Sequence, residues 1–301
     1  MDNRTEVREF LVSRRAKITP EQAGLPAGGR RRVPGLRRTE VAALAGVSIE
    51  YYSKVERGAL SGVSASVLDA IARALRLDDA ERAHLFDLAR AADGTSALVR
   101  PRRRGSKKWI PHRSLQWTLD AITEGPAFVR NGRMDLLATN HLARAFYDQV
   151  YADPTLPPNL ARFTFLDDNA LRFYADWNSA ADITVAILRT EAGRDPINKD
   201  LHDLVGELST RSTEFRTRWG AHNVRQHGTG VKRFRHHIVG DLTLAFEGLE
   251  MAAEPGLTLT IYAAGPGSPS QDALRLLASW SASLTSRRPG ADEAATPDPT
   301  A

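Results

Sequence analysis

Arg38-Thr39-Glu40-Val41-Ala42-Ala43-Leu44-Ala45-Gly46-Val47-Ser48-Ile49-Glu50-Tyr51-Tyr52-Ser53-Lys54-Val55-Glu56-Arg57-Gly58 decides the reading of the first half of the chain. Two short helices that cross at a tight turn need a shared apolar face. Val41, Ala45, Val47, Tyr52 and Val55 stand at the spacing that supplies one. Ala42 is small where the second helix crosses the first. Gly46 falls at the turn, where a left-handed backbone costs least without a Cβ. Ser48 is placed to cap the second helix and Gly58 to end it. The stretch reads as a helix-turn-helix.

With Tyr52 and Val55 turned inward, Ser48, Ile49, Glu50, Ser53 and Lys54 face outward at the front of the second helix. In a helix-turn-helix that surface lies against base edges in the major groove. Lys54 suits guanine, Glu50 suits cytosine N4, and Ile49 suits a thymine methyl. Phosphate contacts are expected of Arg31, Arg32, Arg37, Arg38, Tyr51 and Arg57. Arg37 and Arg38 open the first helix of the motif, where backbone N–H groups also point towards the DNA. Double-stranded DNA is the expected partner.

Outward from the motif, charge divides the chain. Residues 1–110 hold 22 Lys and Arg against 13 Asp and Glu, a net +9, whereas residues 111–301 hold 19 against 23, a net −4. A basic front joined to a slightly acidic back fits an anion-binding module with a differently employed partner. At 301 residues the chain is long enough for two domains. It has no cysteine, which excludes disulfides, cysteine nucleophiles, thiolate zinc sites and iron–sulfur clusters. No apolar run approaches the roughly 18–20 residues of a membrane helix, and the polar start Met1-Asp2-Asn3-Arg4-Thr5-Glu6 lacks a signal-peptide core. A soluble, cytoplasmic protein with no membrane contact is expected.

Helical patterns run through Glu6 to Ala16, Leu36 to Ala45, Ser48 to Glu56, Ser64 to Leu75 and Asp79 to Ala91, so residues 1–93 are expected to form an all-α domain. Residues 94–111, with Arg100-Pro101-Arg102-Arg103-Arg104-Gly105-Ser106-Lys107-Lys108, read as a basic linker. Residues 112–286 change character. Ala127-Phe128-Val129-Arg130 and Met134-Asp135-Leu136-Leu137-Ala138 flank Asn131-Gly132, a hairpin-turn signal. Helical patterns follow from Asn140 to about Trp219, and alternation returns in Leu242, Leu244, Phe246 and in Leu257, Leu259, Ile261. This predicts an α+β domain with an antiparallel sheet. Residues 287–301 read as a disordered tail.

Arg31-Arg32-Val33-Pro34-Gly35-Leu36-Arg37-Arg38-Thr39-Glu40-Val41-Ala42, then Gly46-Val47-Ser48 and Tyr51-Tyr52, resemble the amino-terminal domain of the MmyB-like transcription regulators, within the wider XRE (lambda-repressor-like) helix-turn-helix group. Met134 to Asn140, Leu204 to Ser209, Ser212, Phe215, Trp219, His222, Val224, Val239 to Leu244 and Pro266 to Pro269 resemble the second domain of that family. The resemblance implies a PAS-like ligand-binding domain and a fatty-acid-type ligand held non-covalently. One position departs from the family pattern: His236 is followed by His237 where the family usually has proline.

A site for an apolar ligand is built from apolar residues with a few polar anchors. The candidates are Phe128, Leu137, Trp177, Ile183, Phe215, Trp219, Phe246 and Tyr262, with Arg235 and His236 at the rim for an anionic head group. No metal site is expected: His222 and His227 are five apart, neighbouring His236 and His237 point to opposite faces of a strand, and HExxH is absent. There is no Gly-x-Ser-x-Gly elbow either, so the chain is not expected to be an enzyme. It reads as a sequence-specific DNA-binding regulator, homodimeric, whose back domain binds a small apolar ligand. The alternatives are a back domain that only dimerises or recruits a protein, and a helix-turn-helix fused to an enzyme.

Overall fold

Apolar residues at helical spacing in the front half fold into α1 (Asn3–Lys17), α2 (Arg38–Ala45), α3 (Ile49–Glu56), α4 (Ala65–Ala74) and α5 (Asp79–Ala92). The computed structural model describes residues 3–26, 33, 35–93, 109–221 and 228–286. The expected linker up to Lys108 and the tail from Arg287 lie outside the described residues. Val7, Phe10 and Leu11 of α1 meet Val41, Tyr52, Val55, Leu68, Ile71, Leu85 and Leu88 in one buried cluster. Asp78 and Glu81 cap α5 reciprocally, with the Glu81 amide donating to Asp78 Oδ1 at 2.8 Å.

One carboxylate ties this bundle together. Glu56, at the end of α3, is fully buried and accepts hydrogen bonds from Arg15 of α1 at 3.0 and 3.2 Å. It also accepts from Arg38 of α2 at 3.1 and 3.3 Å. Arg15 reaches the Leu36 carbonyl at 2.8 Å as well. A buried carboxylate is costly unless paired, and two guanidiniums supply the pairing.

The back half contains α6 (Arg113–Asp120), β1 (Ala127–Asn131), β2 (Leu136–Thr139), α7 (His141–Phe146), a 3-10 turn (Asp148–Tyr151), α8 (Leu160–Leu166), α9 (Asn169–Phe173) and α10 (Trp177–Arg194). These are followed by α11 (Lys199–Arg211), α12 (Thr213–Gly220), β3 (Thr229–His236), β4 (Gly240–Glu250), β5 (Leu257–Ala264) and α13 (Pro269–Ser286). The strands form one antiparallel sheet in the order β2-β1-β5-β4-β3. An all-α helix-turn-helix domain thus precedes an α+β domain. Among the described residues no helix is long and apolar enough to cross a membrane.

The expected hairpin forms between β1 and β2, and Asn131 and Gly132 open its loop: β2 begins at Leu136, and the Asn131 side-chain oxygen accepts the amides of Arg133 (2.9 Å) and Asp135 (3.1 Å). Gly132 is small because a Cβ there would lie 2.3 Å from the Glu191 carboxylate of α10. The aliphatic side chains of β5 face away from the main core. Leu257, Leu259 and Ile261 pack with Leu115 and Leu119 of α6 on the outer side of the sheet. Tyr262 faces the large cluster of Phe128, Phe146, Phe173, Phe234 and Phe246.

Candidate functional site

The start of α3 projects from the front domain. The Ser48 hydroxyl oxygen accepts the Tyr51 amide at 3.0 Å, and Gly46 adopts a left-handed backbone with φ 65°. The cap and the turn fix the angle at which α3 leaves the bundle. Ser48, Ile49, Glu50, Tyr51, Lys54 and Arg57 are exposed, and Ser53 is half-buried. Ile49 is 45% exposed although every other apolar side chain of α3 except Tyr51 is buried. Arg37 is exposed as the N-cap of α2. Arg38 differs: it is half-exposed, and the hydrogen bonds to Glu56 lift its guanidinium above the ordinary value. Arg31 and Arg32 lie outside the described residues.

Between the sheet and α10 of the back domain lies a cavity of about 30 Å³. It is walled by Phe128, Arg130, Met134, Tyr147, Lys232, Phe246, Thr260 and Tyr262 together with Ile183, Thr184 and Ile187 of α10. Alternation along β1 turns Phe128 and Arg130 the same way. Burial pulls the Arg130 guanidinium below its ordinary value, and Tyr262, Glu191 and Tyr147 pull it back up. Lys232 Nζ lies 3.5 Å from Tyr262 Oη and 4.7 Å from the centre of the Phe246 ring. The hydroxyls of Tyr147 and Tyr262 are 3.1 Å apart. The space is aromatic, with two cationic side chains and a linked pair of phenols on its wall.

Residues 111–277 match the family model of the MmyB-like transcription regulator ligand binding domain, and residues 14–85 match a helix-turn-helix domain. The chain belongs to the MmyB-like transcription regulators. No curated protein matches it. This MmyB-like protein is a DNA-binding transcription regulator with a ligand-binding domain, and both families that it matches are of regulator type.

Four of the pocket residues expected from the sequence, Phe128, Ile183, Phe246 and Tyr262, line the cavity of the MmyB-like domain; the other six lie elsewhere. Leu137 points to the outer face of the sheet, packing beside α6. Trp177 lines a separate open cleft of about 570 Å³ with Phe165 and Leu171. Phe215 is core, between Phe165 and Trp219 at 5.1 and 5.5 Å. Trp219 stacks beneath the Arg189 guanidinium at 4.1 Å. Arg235 is exposed, because Lys232, Phe234 and His236 take the inward positions of β3. His236 is buried against Phe146 and Phe173, outside the cavity.

Arg130, Lys232 and Thr184 were not singled out from the sequence. The available signal was that Arg130 shares strand parity with Phe128, and Lys232 with Phe234. The alternation used against a metal site fails where β3 ends. The chain turns after His236, and its ring stacks on that of His237 at 4.7 Å. Asp148, His236 and His237 therefore offer three ligand atoms within 4.8 Å of one another. His237 Nε2 is 3.2 Å from Asp148 Oδ2, and His236 Nδ1 already accepts the Ile238 amide at 3.3 Å. His222 and His227 lie outside the described residues.

Proposed function

We propose that the back domain binds an amphipathic anion of the fatty-acid class and that its occupancy modulates DNA binding by a homodimer. The observation that carries this reading is the buried Arg130 beside Lys232 on an otherwise aromatic wall. A guanidinium keeps its charge when buried, so the wall holds a fixed positive charge next to apolar surface. A carboxylate on an acyl chain satisfies both. Ser48, Ile49, Glu50, Ser53 and Lys54 meet base edges, while Arg31, Arg32, Arg37, Tyr51 and Arg57 meet phosphate. A ligand alters DNA affinity only by binding the DNA-competent and incompetent states differently. In a dimer, the spacing between the two α3 helices supplies such a difference.

Titration calorimetry with dodecanoate and with the uncharged dodecanol tests the ligand class. Dodecanoate is expected to bind more tightly, and Arg130→Met to abolish that preference. Equal binding of the two probes, or equal binding by Arg130→Met, overturns the reading. The cavity volume favours a second reading, in which the back domain only dimerises or recruits a protein. About 30 Å³ is room for one or two waters, against roughly 300–1,000 Å³ for ligand sites in general. Native mass spectrometry of the purified dimer that finds no bound small molecule, together with calorimetry that finds no dodecanoate binding, would favour that second reading.

A further inference from the structure

One helix touches both the cavity and the DNA-binding domain. Ala180, Ile183, Thr184 and Ile187 of α10 form a stripe at helical spacing along the cavity. From two residues further on, the same helix holds the front domain. Arg189 is fully buried and pairs with the carboxylate of Glu6 on α1. It also donates to the Trp219 carbonyl and lies 4.1 Å over the Trp219 ring. His84 of α5 sits 4.0 Å from the same Glu6 carboxylate and against Phe10. Its ring is so close to α10 that a Cβ on Gly193 would lie 2.6 Å from His84 Cε1. Arg194 Nε is 3.6 Å from Asp87 Oδ2, again on α5.

The two contacts are mechanically linked. Ile187 and Gly193 are separated by roughly 9 Å of helix rise, too short for a continuous helix to bend independently at each end. A cavity of about 30 Å³ does not admit an acyl chain without displacement of a wall. The sheet wall is held by hydrogen bonds from β1 to β5 and from β5 to β4. The α10 wall is held by side-chain packing, so it is the wall that yields. Shifts of about 1–2 Å are typical of helices at interfaces. Such a shift breaks a buried ion pair, whose stability depends on good geometry, and the Gly193–His84 contact has no slack to absorb it.

We propose that α10 transmits occupancy of the cavity to the helix-turn-helix domain: a chain entering against Ile183, Thr184 and Ile187 displaces α10 and releases α1 and α5 from Arg189 and Gly193. This rests on the acyl-ligand reading above for its trigger, but not for its mechanics. Linkage makes the effect reciprocal. If the cavity opens at the expense of docking, weakening the dock tightens ligand binding by the same factor.

The test uses the full-length protein, hydrogen exchange of the α1 and α5 amides, and dodecanoate as probe. Dodecanoate is expected to speed exchange in both helices about tenfold, within the usual range of coupling between sites. Ile183→Trp, which pushes on α10 from inside the cavity, is expected to do so without dodecanoate. Gly193→Ala, which crowds His84 in a position where alanine favours helix, is expected to raise dodecanoate affinity about tenfold. Dodecanoate that binds without changing exchange overturns the proposal, as does a Gly193→Ala variant that binds it no better than a wild-type protein that does bind it. If neither protein binds dodecanoate while Ile183→Trp still speeds exchange, the acyl-ligand reading fails and transmission through α10 stands.

Discussion

Lys54 and Arg37 are expected to make different demands on DNA. Lys54 projects from α3 where base edges would lie, so Lys54→Ala is expected to lower affinity for a selected operator by about 1–3 kcal/mol and to relax preference at one base position. Arg37 stands at the N-cap position of α2 with its side chain exposed, and Arg37→Ala is expected to weaken binding to all duplexes and to reduce the salt slope by about one. Operator and scrambled duplex, titrated over a salt series, separate the two. Equal losses on both duplexes for Lys54→Ala would remove α3 from its assigned role. Arg38 does not belong with Arg37, because its guanidinium is held by the buried Glu56. Arg38→Ala is expected to lower the unfolding midpoint of the front domain, which Arg37→Ala leaves unchanged. The residue types alone did not separate these neighbours; what separates them is Glu56, eighteen residues away.

His236 also illustrates a role set by surroundings. Burial and the neighbouring His237 hold it below its ordinary value, against the pull of Asp148. The folded protein therefore binds this proton less readily than the unfolded chain. Its contribution to stability is present above about pH 6.5, the unfolded value, and is lost as pH falls below it. Denaturant midpoints at pH 7.5 and 5.5 check this: His236→Asn is expected to flatten the difference between them.

At the scale of the element, helices were more legible than strands. The α2–α3 stretch carries its turn glycine, its cap and its apolar face within a few residues, and all of them serve as read. The β1–β2 hairpin is legible in Asn131-Gly132, but the close approach of Glu191 from a distant helix to Gly132 is not. Gly125 is a similar case. It carries no local signal, yet a Cβ there would lie 1.9 Å from the Tyr262 carbonyl of β5. Gly125→Ala is expected to destabilise the back domain by about 1–3 kcal/mol, as overpacking generally does, while the front domain keeps its midpoint. Calorimetric unfolding that leaves the back-domain transition unmoved would contradict that close approach. The same distance from local signals hid most of the cavity. Apolar residues were picked by type, and in a helical middle most such residues are core.

For the whole molecule, charge and geometry divide the work. The net +9 of residues 1–110 lies on the half that carries α3, and the net −4 lies on the half that carries the cavity. Composition made that division plain. What it did not reveal is that the halves touch through a buried pair, Glu6 with Arg189, because neither residue looks unusual in its own helix. Glu6→Gln leaves Arg189 buried opposite a neutral amide, a change that costs about 3–5 kcal/mol where a buried pair is broken. It is expected to lower the unfolding midpoints of both domains, and two unshifted midpoints would show that the domains do not support each other.

The strand order has a consequence for how the chain is made. β1 lies between β2 and β5, and Asn131 is in register with Leu257 across the whole helical middle. The sheet therefore cannot close until nearly all of the back domain has left the ribosome. The front bundle, built from contacts close in sequence, is complete long before. For part of every synthesis cycle the nascent chain carries a folded helix-turn-helix whose ligand-binding half does not yet exist.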